Sequence, residues 1–233
     1  MLQRLFGWLS QLISNLSSRP TSADISGTPS SPVGSSPGSS TSPGLPSVPP
    51  PRVVTMAWGQ KVSQTFRDRI TWTADALGVE LDYLMAVMAF ETGETFSASV
   101  RNGAGSGATG LIQFMPATAR GMGTTTDALA AMSAEDQIAY VYRYLLPYKG
   151  RMRTLSDVYM AVLWPAAIGK PESAPLWTQA ERPTTYRQNA GLDGNRDGTI
   201  TKAEAAGKVR EKLERGLMPL YAWTGAVHPS VTK

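Results

Sequence analysis

Leu81-Asp82-Tyr83-Leu84-Met85-Ala86-Val87-Met88-Ala89-Phe90-Glu91-Thr92-Gly93 carries apolar side chains nearly all round a helical wheel and ends on a carboxylic acid close to a glycine. A helix without a polar face has to be buried, so this stretch predicts a central helix with a glutamate at its C-terminus. Two effects act on that acid. Phe90 and nearby Phe96 lower the local polarity, and the carbonyl end of a helix disfavours negative charge, so both push the pKa of Glu91 upward. A carboxylic acid that keeps its proton near neutral pH is suited to protonating a glycosidic oxygen. The plain alternative is a glutamate that turns to solvent as its helix stops.

Outward from this helix the pattern stays helical. Val62, Phe66, Ile70 and Trp72 or Thr73 recur near helical period and predict a helix from about Gln60 to Ala76, ended by Leu77-Gly78. Similar patterns cover about Met115 to Arg120, Ala134 to Leu146, Leu155 to Leu163 and Lys202 to Arg215. No convincing alternating strand pairs and no internal repeat stand out, so residues 52–233 read as one mainly α domain. Before it, residues 17–51 are Ser, Pro, Gly and Thr with Arg19 and Asp24 as the only charges, a composition that predicts an extended, mobile tether. Residues 1–16 place Leu2, Leu5, Phe6, Leu9, Leu12, Ile13 and Leu16 on one helical stripe. Gln and Ser interrupt that stripe and no small-residue cleavage site follows closely, so it reads as a retained amphipathic helix rather than a signal peptide. Its apolar face needs a membrane surface, a partner protein or its own domain, a partner protein being preferred.

The residue inventory excludes several chemistries. The 233 residues contain no cysteine and a single histidine, His228, near the C-terminus. Thiol nucleophiles, disulfide scaffolds and zinc sites built on cysteines or several histidines are therefore ruled out, and a serine–histidine mechanism has no well-placed base. A net charge of +4, spread along the chain, points to anionic surfaces rather than to a nucleic-acid groove.

After the central helix comes Gly105-Ser106-Gly107-Ala108-Thr109-Gly110-Leu111-Ile112-Gln113-Phe114-Met115-Pro116-Ala117-Thr118-Ala119. Glycines let a backbone approach a sugar closely, and a Gln amide offers both donors and acceptors to hydroxyl and acetamido groups. Taken together, Glu91-Thr92-Gly93, Gly110-Leu111-Ile112-Gln113 and Met115-Pro116-Ala117-Thr118-Ala119 resemble the lytic transglycosylases of the goose-type lysozyme superfamily, with Ile112 where that family usually has Met. The resemblance covers about Leu81 to Ala167. It implies a lysozyme-like helical fold, Glu91 as the catalytic acid, and a saccharide groove lined by Thr109, Gly110, Gln113 and Met115. It also implies a later Ala-Tyr-Asn-like motif whose tyrosine bonds the acid. The corresponding region, Asp157 to Ala167, does not keep that pattern, and Tyr159 is the natural candidate for the role, with a buried helix tyrosine as the alternative. Trp164 and Trp177 suit either sugar stacking or the core.

The acids along the chain bear on mechanism. An inverting hydrolase needs a base roughly 6.5–9.5 Å from the acid, and a retaining one a nearer nucleophile. Between Glu91 and Asp127 the only other acid is Glu94, which reads as a solvated residue beyond the helix end. This favours a transglycosylase in which Glu91 serves as acid and then base. Distal acids such as Asp127, Glu135, Asp136 or Asp157 keep a hydrolytic lysozyme open, and a non-catalytic glycan-binding virion protein is the third reading.

A separate motif is Asp193-Gly194-Asn195-Arg196-Asp197-Gly198-Thr199-Ile200-Thr201-Lys202-Ala203-Glu204. It matches an EF-hand-type calcium loop: oxygen side chains at the first, third, fifth and last positions, glycine at the sixth and an apolar residue at the eighth. Asp193, Asn195, Asp197 and Glu204 are the side-chain ligands, Thr199 supplies a backbone carbonyl, and Thr201 a side chain or bound water. The helix from Lys202 is the exiting arm, while Pro183 obscures the entering one. A single loop points to structural Ca²⁺ in a calcium-rich exterior. The whole reading is a peptidoglycan-cleaving bacteriophage product, made in the host cytoplasm without a cleavable signal and acting from the virion or in the host periplasm and cell wall.

Overall fold

The computed structural model describes residues 50–103 and 105–229; the amphipathic helix predicted over 1–16 and the tether up to residue 49 lie outside the described residues. The described chain is mainly helical. Its elements are β1 (Arg52–Met56), α1 (Gln64–Leu77), α2 (Leu81–Glu91), α3 (Pro116–Gly121), α4 (Thr126–Ala131), α5 (Ala134–Leu145), α6 (Leu155–Leu163), β2 (Pro175–Thr178), α7 (Pro183–Asn189), β3 (Thr199–Thr201), α8 (Lys202–Gly216) and β4 (Trp223–Val227).

Local chemistry sets most helix ends. Ser63, Thr125, Ser133 and Thr154 each accept a backbone N–H from the first turn of the helix they precede, the usual way of satisfying an orphan donor. Gly78, at φ 69°, closes α1 in the left-handed conformation that L side chains avoid, which is why the sequence signal at Leu77-Gly78 marked the end correctly. The start of α1 lies at Gln64 rather than Gln60, because Gly59–Lys61 forms a separate 3-10 turn and Ser63 caps the α-helix proper.

The expectation about strands is corrected. β1 pairs antiparallel with β4, from Arg52↔Val227 to Met56↔Trp223, and β2 pairs antiparallel with β3 through Trp177↔Ile200. Each is a two-stranded ribbon of three to five residues per strand, too short to carry an alternating apolar pattern. Two short helices, α4 and α7, also escaped the sequence reading.

α2 is the hub. Every residue from Leu84 to Glu91 is buried, and the helix packs against α8, α1 and α6, while α1 also packs on α5 and α6 on α8. Trp58 locks the β1 end to α8: it is fully buried, its indole N–H donates to Lys212 O at 2.9 Å, and its ring lies so close to Gly216 that a Cβ there would sit 2.3 Å from Nε1. Among the described residues no helix is long and apolar enough to cross a membrane.

Candidate active site and the 193–204 loop

Glu91 is the last residue of α2 and only 3 % exposed. The turn beneath it is built by Thr92, whose hydroxyl donates to Met88 O at 2.6 Å and accepts the Phe96 N–H at 3.1 Å. Oε2 of Glu91 is buried with no hydrogen-bond partner, and burial pushes the acid up from 4.5 to about 8. Desolvation is the whole cause, since no neighbouring charge offsets it.

Glu94 departs from the expectation. It is not solvated: its side chain is 16 % exposed, and Oε1 receives the Lys212 ammonium, with the Arg215 guanidinium at 3.4 Å. Its backbone, at φ 70°, turns back so that its N–H donates to Ala89 O at 2.7 Å. The nearest acid in sequence to Glu91 is thus committed to α8.

Two tyrosines sit within electrostatic reach of Glu91. Tyr159, on α6, is buried, and its ring meets Phe90 edge-on at 5.6 Å. Burial first, and then the negative charge of Glu91, hold its phenol well above the ordinary range. Tyr144, at the end of α5, is raised by burial, then by Tyr148 and Glu91, and its hydroxyl donates to Ala161 O at 3.1 Å. The sequence reading missed Tyr144. Its signal was there: Tyr140, Tyr144 and Tyr148 recur every four residues and so fall on one side of the helix and its extension.

The loop before α3 is fastened from below by Gln137, another residue the sequence reading passed over. This fully buried amide on α5 accepts the Leu111 N–H at 2.7 Å and donates to Leu129 O at 2.9 Å and Ala98 O at 3.2 Å. Gly110 passes directly over it. At φ 83°, with any Cβ only 2.2 Å from the Gln137 Oε1, this position admits glycine alone. Gln113 lies at φ 52° and its side-chain N–H₂ donates to Gly110 O at 3.0 Å and Val100 O at 3.3 Å, while its Oε1 is buried and unpartnered. Its donors therefore hold the turn rather than facing outward.

Thr109 is fully buried. It exchanges backbone hydrogen bonds with Phe114 at 3.1 and 2.8 Å, and its hydroxyl donates to Gly107 O. Met115, 6 % exposed, precedes Pro116 at the first position of α3. Gln113, Met115, Thr118, Tyr144 and Val162 together line a cavity of about 20 Å³, which joins the glycine-rich loop to α5 and α6. Trp164 and Trp177 stack edge-on against each other at 6.0 Å, with the Arg182 guanidinium 5.5 Å from the Trp164 ring centre.

The second site is the loop at 193–204. Asp193 ties it together: Oδ1 accepts the Arg196 N–H at 2.6 Å, and Oδ2 accepts the Gly198 N–H at 3.0 Å and the Tyr186 hydroxyl at 2.6 Å. Tyr186 belongs to α7, the helix that precedes the loop, with Pro183 at its first position. Asn195 Oδ1 accepts the Asp197 N–H, and Asp197 Oδ1 the Thr199 N–H. Glu204 Oε2 accepts the Thr201 N–H and hydroxyl in a capping box that starts α8. Its Oε1 reaches back across the loop, 3.9 Å from where a Cβ on Gly194 would stand. Ile200 is fully buried, and its strand β3 pairs with β2. Among the described residues no three histidine, aspartate or glutamate side chains form a group that could hold a metal ion.

Neither the protein-family models nor the curated proteins compared with this chain give a match.

Proposed function

We propose that this protein cleaves the β-1,4 bond between N-acetylmuramic acid and N-acetylglucosamine in bacterial peptidoglycan as a lytic transglycosylase on a lysozyme-like fold. The observation that carries the proposal is Glu91: a carboxyl group 3 % exposed, with one oxygen unpartnered and a pKa raised to about 8. Such a group is protonated at neutral pH and keeps one oxygen uncommitted to any partner within the protein.

In the first step the Glu91 proton passes to the glycosidic oxygen, and the bond from that oxygen to the muramoyl anomeric carbon breaks. The leaving chain departs with a free hydroxyl, and the anomeric carbon carries positive charge. Glu91, now a carboxylate in a poorly solvated site, takes the proton of the muramoyl 6-hydroxyl as its oxygen attacks the anomeric carbon. The product is a 1,6-anhydro ring, and Glu91 ends protonated as it began. The ion pair of Glu94 with Lys212 supports this route over hydrolysis, because it leaves the neighbouring acid without a base's freedom.

For the 193–204 loop the proposal is a structural Ca²⁺ held by Asp193, Asn195, Asp197, the Thr199 carbonyl and Glu204, with Thr201 contributing directly or through water. The closure of the loop onto Asp193 by the Arg196 and Gly198 amides supports it, as does the Glu204 oxygen directed across the loop. Bound there, calcium would neutralise the loop carboxylates. The proposal extends to action from a bacteriophage virion or during host lysis, with segment 1–16 as an attachment helix.

The test is digestion of purified peptidoglycan by the protein and by Glu91→Gln, with fragments identified by mass spectrometry. Anhydro-ended fragments that vanish in the variant are expected. Reducing ends would instead mean a hydrolytic lysozyme, and no fragments from the unaltered protein would leave a glycan-binding role.

A further inference from the structure

A second cleft, of about 500 Å³, opens at the N-terminal end of α6, away from the residues assigned to bond cleavage. Arg151, Arg153, Lys170, Lys202, Asp157 and Glu172 supply its charged lining. At its base Lys202, 2 % exposed, donates to Asp157 Oδ1 at 2.6 Å and Lys170 O at 2.8 Å. Asp157 also accepts the Gly169 N–H at 2.8 Å and the Arg153 N–H at 3.3 Å, so its charge is fully compensated. An ammonium has three donors, and the third N–H of Lys202 is not needed by either partner. Arg151, Arg153 and Lys170 form no ion pair among the described residues. Three uncompensated cations thus face a cleft of ligand size, with Glu172 as the one carboxylate not matched by a lysine or arginine.

We propose that this cleft binds the peptide stem of peptidoglycan, its cations taking the stem carboxylates and Glu172 the free amine of a diamino acid. The assignment rests on the transglycosylase reading for the substrate. Arginine forks match carboxylates bidentately. A cleft serving phosphate alone would gain nothing from Glu172, whose charge opposes an anion, whereas a stem carrying carboxylates and an ammonium uses both signs.

The experiment titrates the full chain with a synthetic stem tetrapeptide containing diaminopimelate, with its amine-acetylated form, and with inorganic phosphate. The same titrations are repeated on R151Q/R153Q and on E172Q, whose exposed positions leave the fold intact, checked by melting. The stem peptide is expected to bind, R151Q/R153Q to weaken it by about tenfold or more, and E172Q to weaken the free-amine form while sparing the acetylated one. R151Q/R153Q should also lower turnover on stem-bearing relative to stem-stripped glycan. No stem binding, binding of phosphate alone, or equal affinity in R151Q/R153Q would overturn the proposal. Because binding is read directly, it stands or falls separately from cleavage: a protein that binds the stem yet cuts no glycan would refute the Glu91 chemistry and leave the cleft.

Discussion

In the function proposed, Glu91 would join catalysis and stability in one side chain, and both depend on its protonated form. Its folded pKa, about 8, lies above the ordinary 4.5, so the unfolded chain releases this proton more readily than the folded one. The favourable contribution of the protonated acid is complete below pH 4.5 and is lost as pH rises to about 8, at about 1.4 kcal/mol per pH unit. Glu91→Gln, neutral throughout, should abolish cleavage while melting higher than the unaltered protein at pH 8 and about equally at pH 4. Thermal melts across that range check it, and a gap that does not widen with pH would mean Glu91 is solvated. Cleavage itself should decline above about pH 8 as the acid loses its proton. The role of Gly110 is as sharply defined. Gly110→Ala forces a left-handed alanine into Gln137 and should cost at least about 2 kcal/mol, read as a lower melting temperature. Both residues stood out in the sequence through the motifs that carry the resemblance, Glu91-Thr92-Gly93 and Gly110-Leu111-Ile112-Gln113, since a helix-end glutamate taken alone reads as a surface residue. Gln137 and Tyr144 did not, since a polar residue on an amphipathic helix looks the same whether it faces water or clamps a loop.

The helices were legible to within a few residues where apolar periodicity ran for more than two turns, as in α1, α2, α5, α6 and α8. The elements that escaped are held by tertiary contacts. β2 and β3 are stabilised by burial of Trp177 and Ile200, and α7 by the Tyr186–Asp193 hydrogen bond. The join between α6 and α8 is likewise nonlocal: Asp157 and Lys202, distant in sequence, form an ion pair with side chains 5 % and 2 % exposed. Burial alone would raise the Asp157 pKa, but the bonds from Lys202, Gly169 and Arg153 outweigh it and hold the acid below its ordinary value. Its stabilising contribution is therefore present above the ordinary aspartate range and lost as pH falls through the folded value. Lys202→Met strands a buried carboxylate and should cost about 3–5 kcal/mol, whereas Lys202→Met with Asp157→Leu should recover most of it. Urea unfolding of the two variants measures the difference, and equal losses would mean that packing rather than charge makes the join.

At the scale of the molecule, α8 links the two sites. It begins in the capping box of Glu204, the last position of the 193–204 loop, and on the way to Gly216 it presents Lys212 to Glu94, three residues beyond Glu91. Its neighbours α2 and α6 carry the acid and Tyr159. If calcium orders the loop as proposed, α8 is the element through which that order would reach the turn after Glu91. If the loop binds calcium as proposed, a hundredfold excess over its Kd would add about 2.7 kcal/mol to the native state. In a chain of this size each kcal/mol moves Tm by about 2–4 °C. A chelator should thus lower Tm by about 5–10 °C and reduce cleavage with it. Glu204→Gln is an ambiguous probe, because Glu204 also caps α8. Asp197→Asn leaves that cap intact and should remove the calcium response while melting close to the chelated protein. If calcium leaves the melting of the unaltered chain unchanged, the loop is a metal-free turn held by its own hydrogen bonds. If Asp197→Asn loses the thermal response yet keeps full activity at low temperature, α8 stabilises the fold without positioning Glu91, and Lys212→Ala should then be equally silent in turnover.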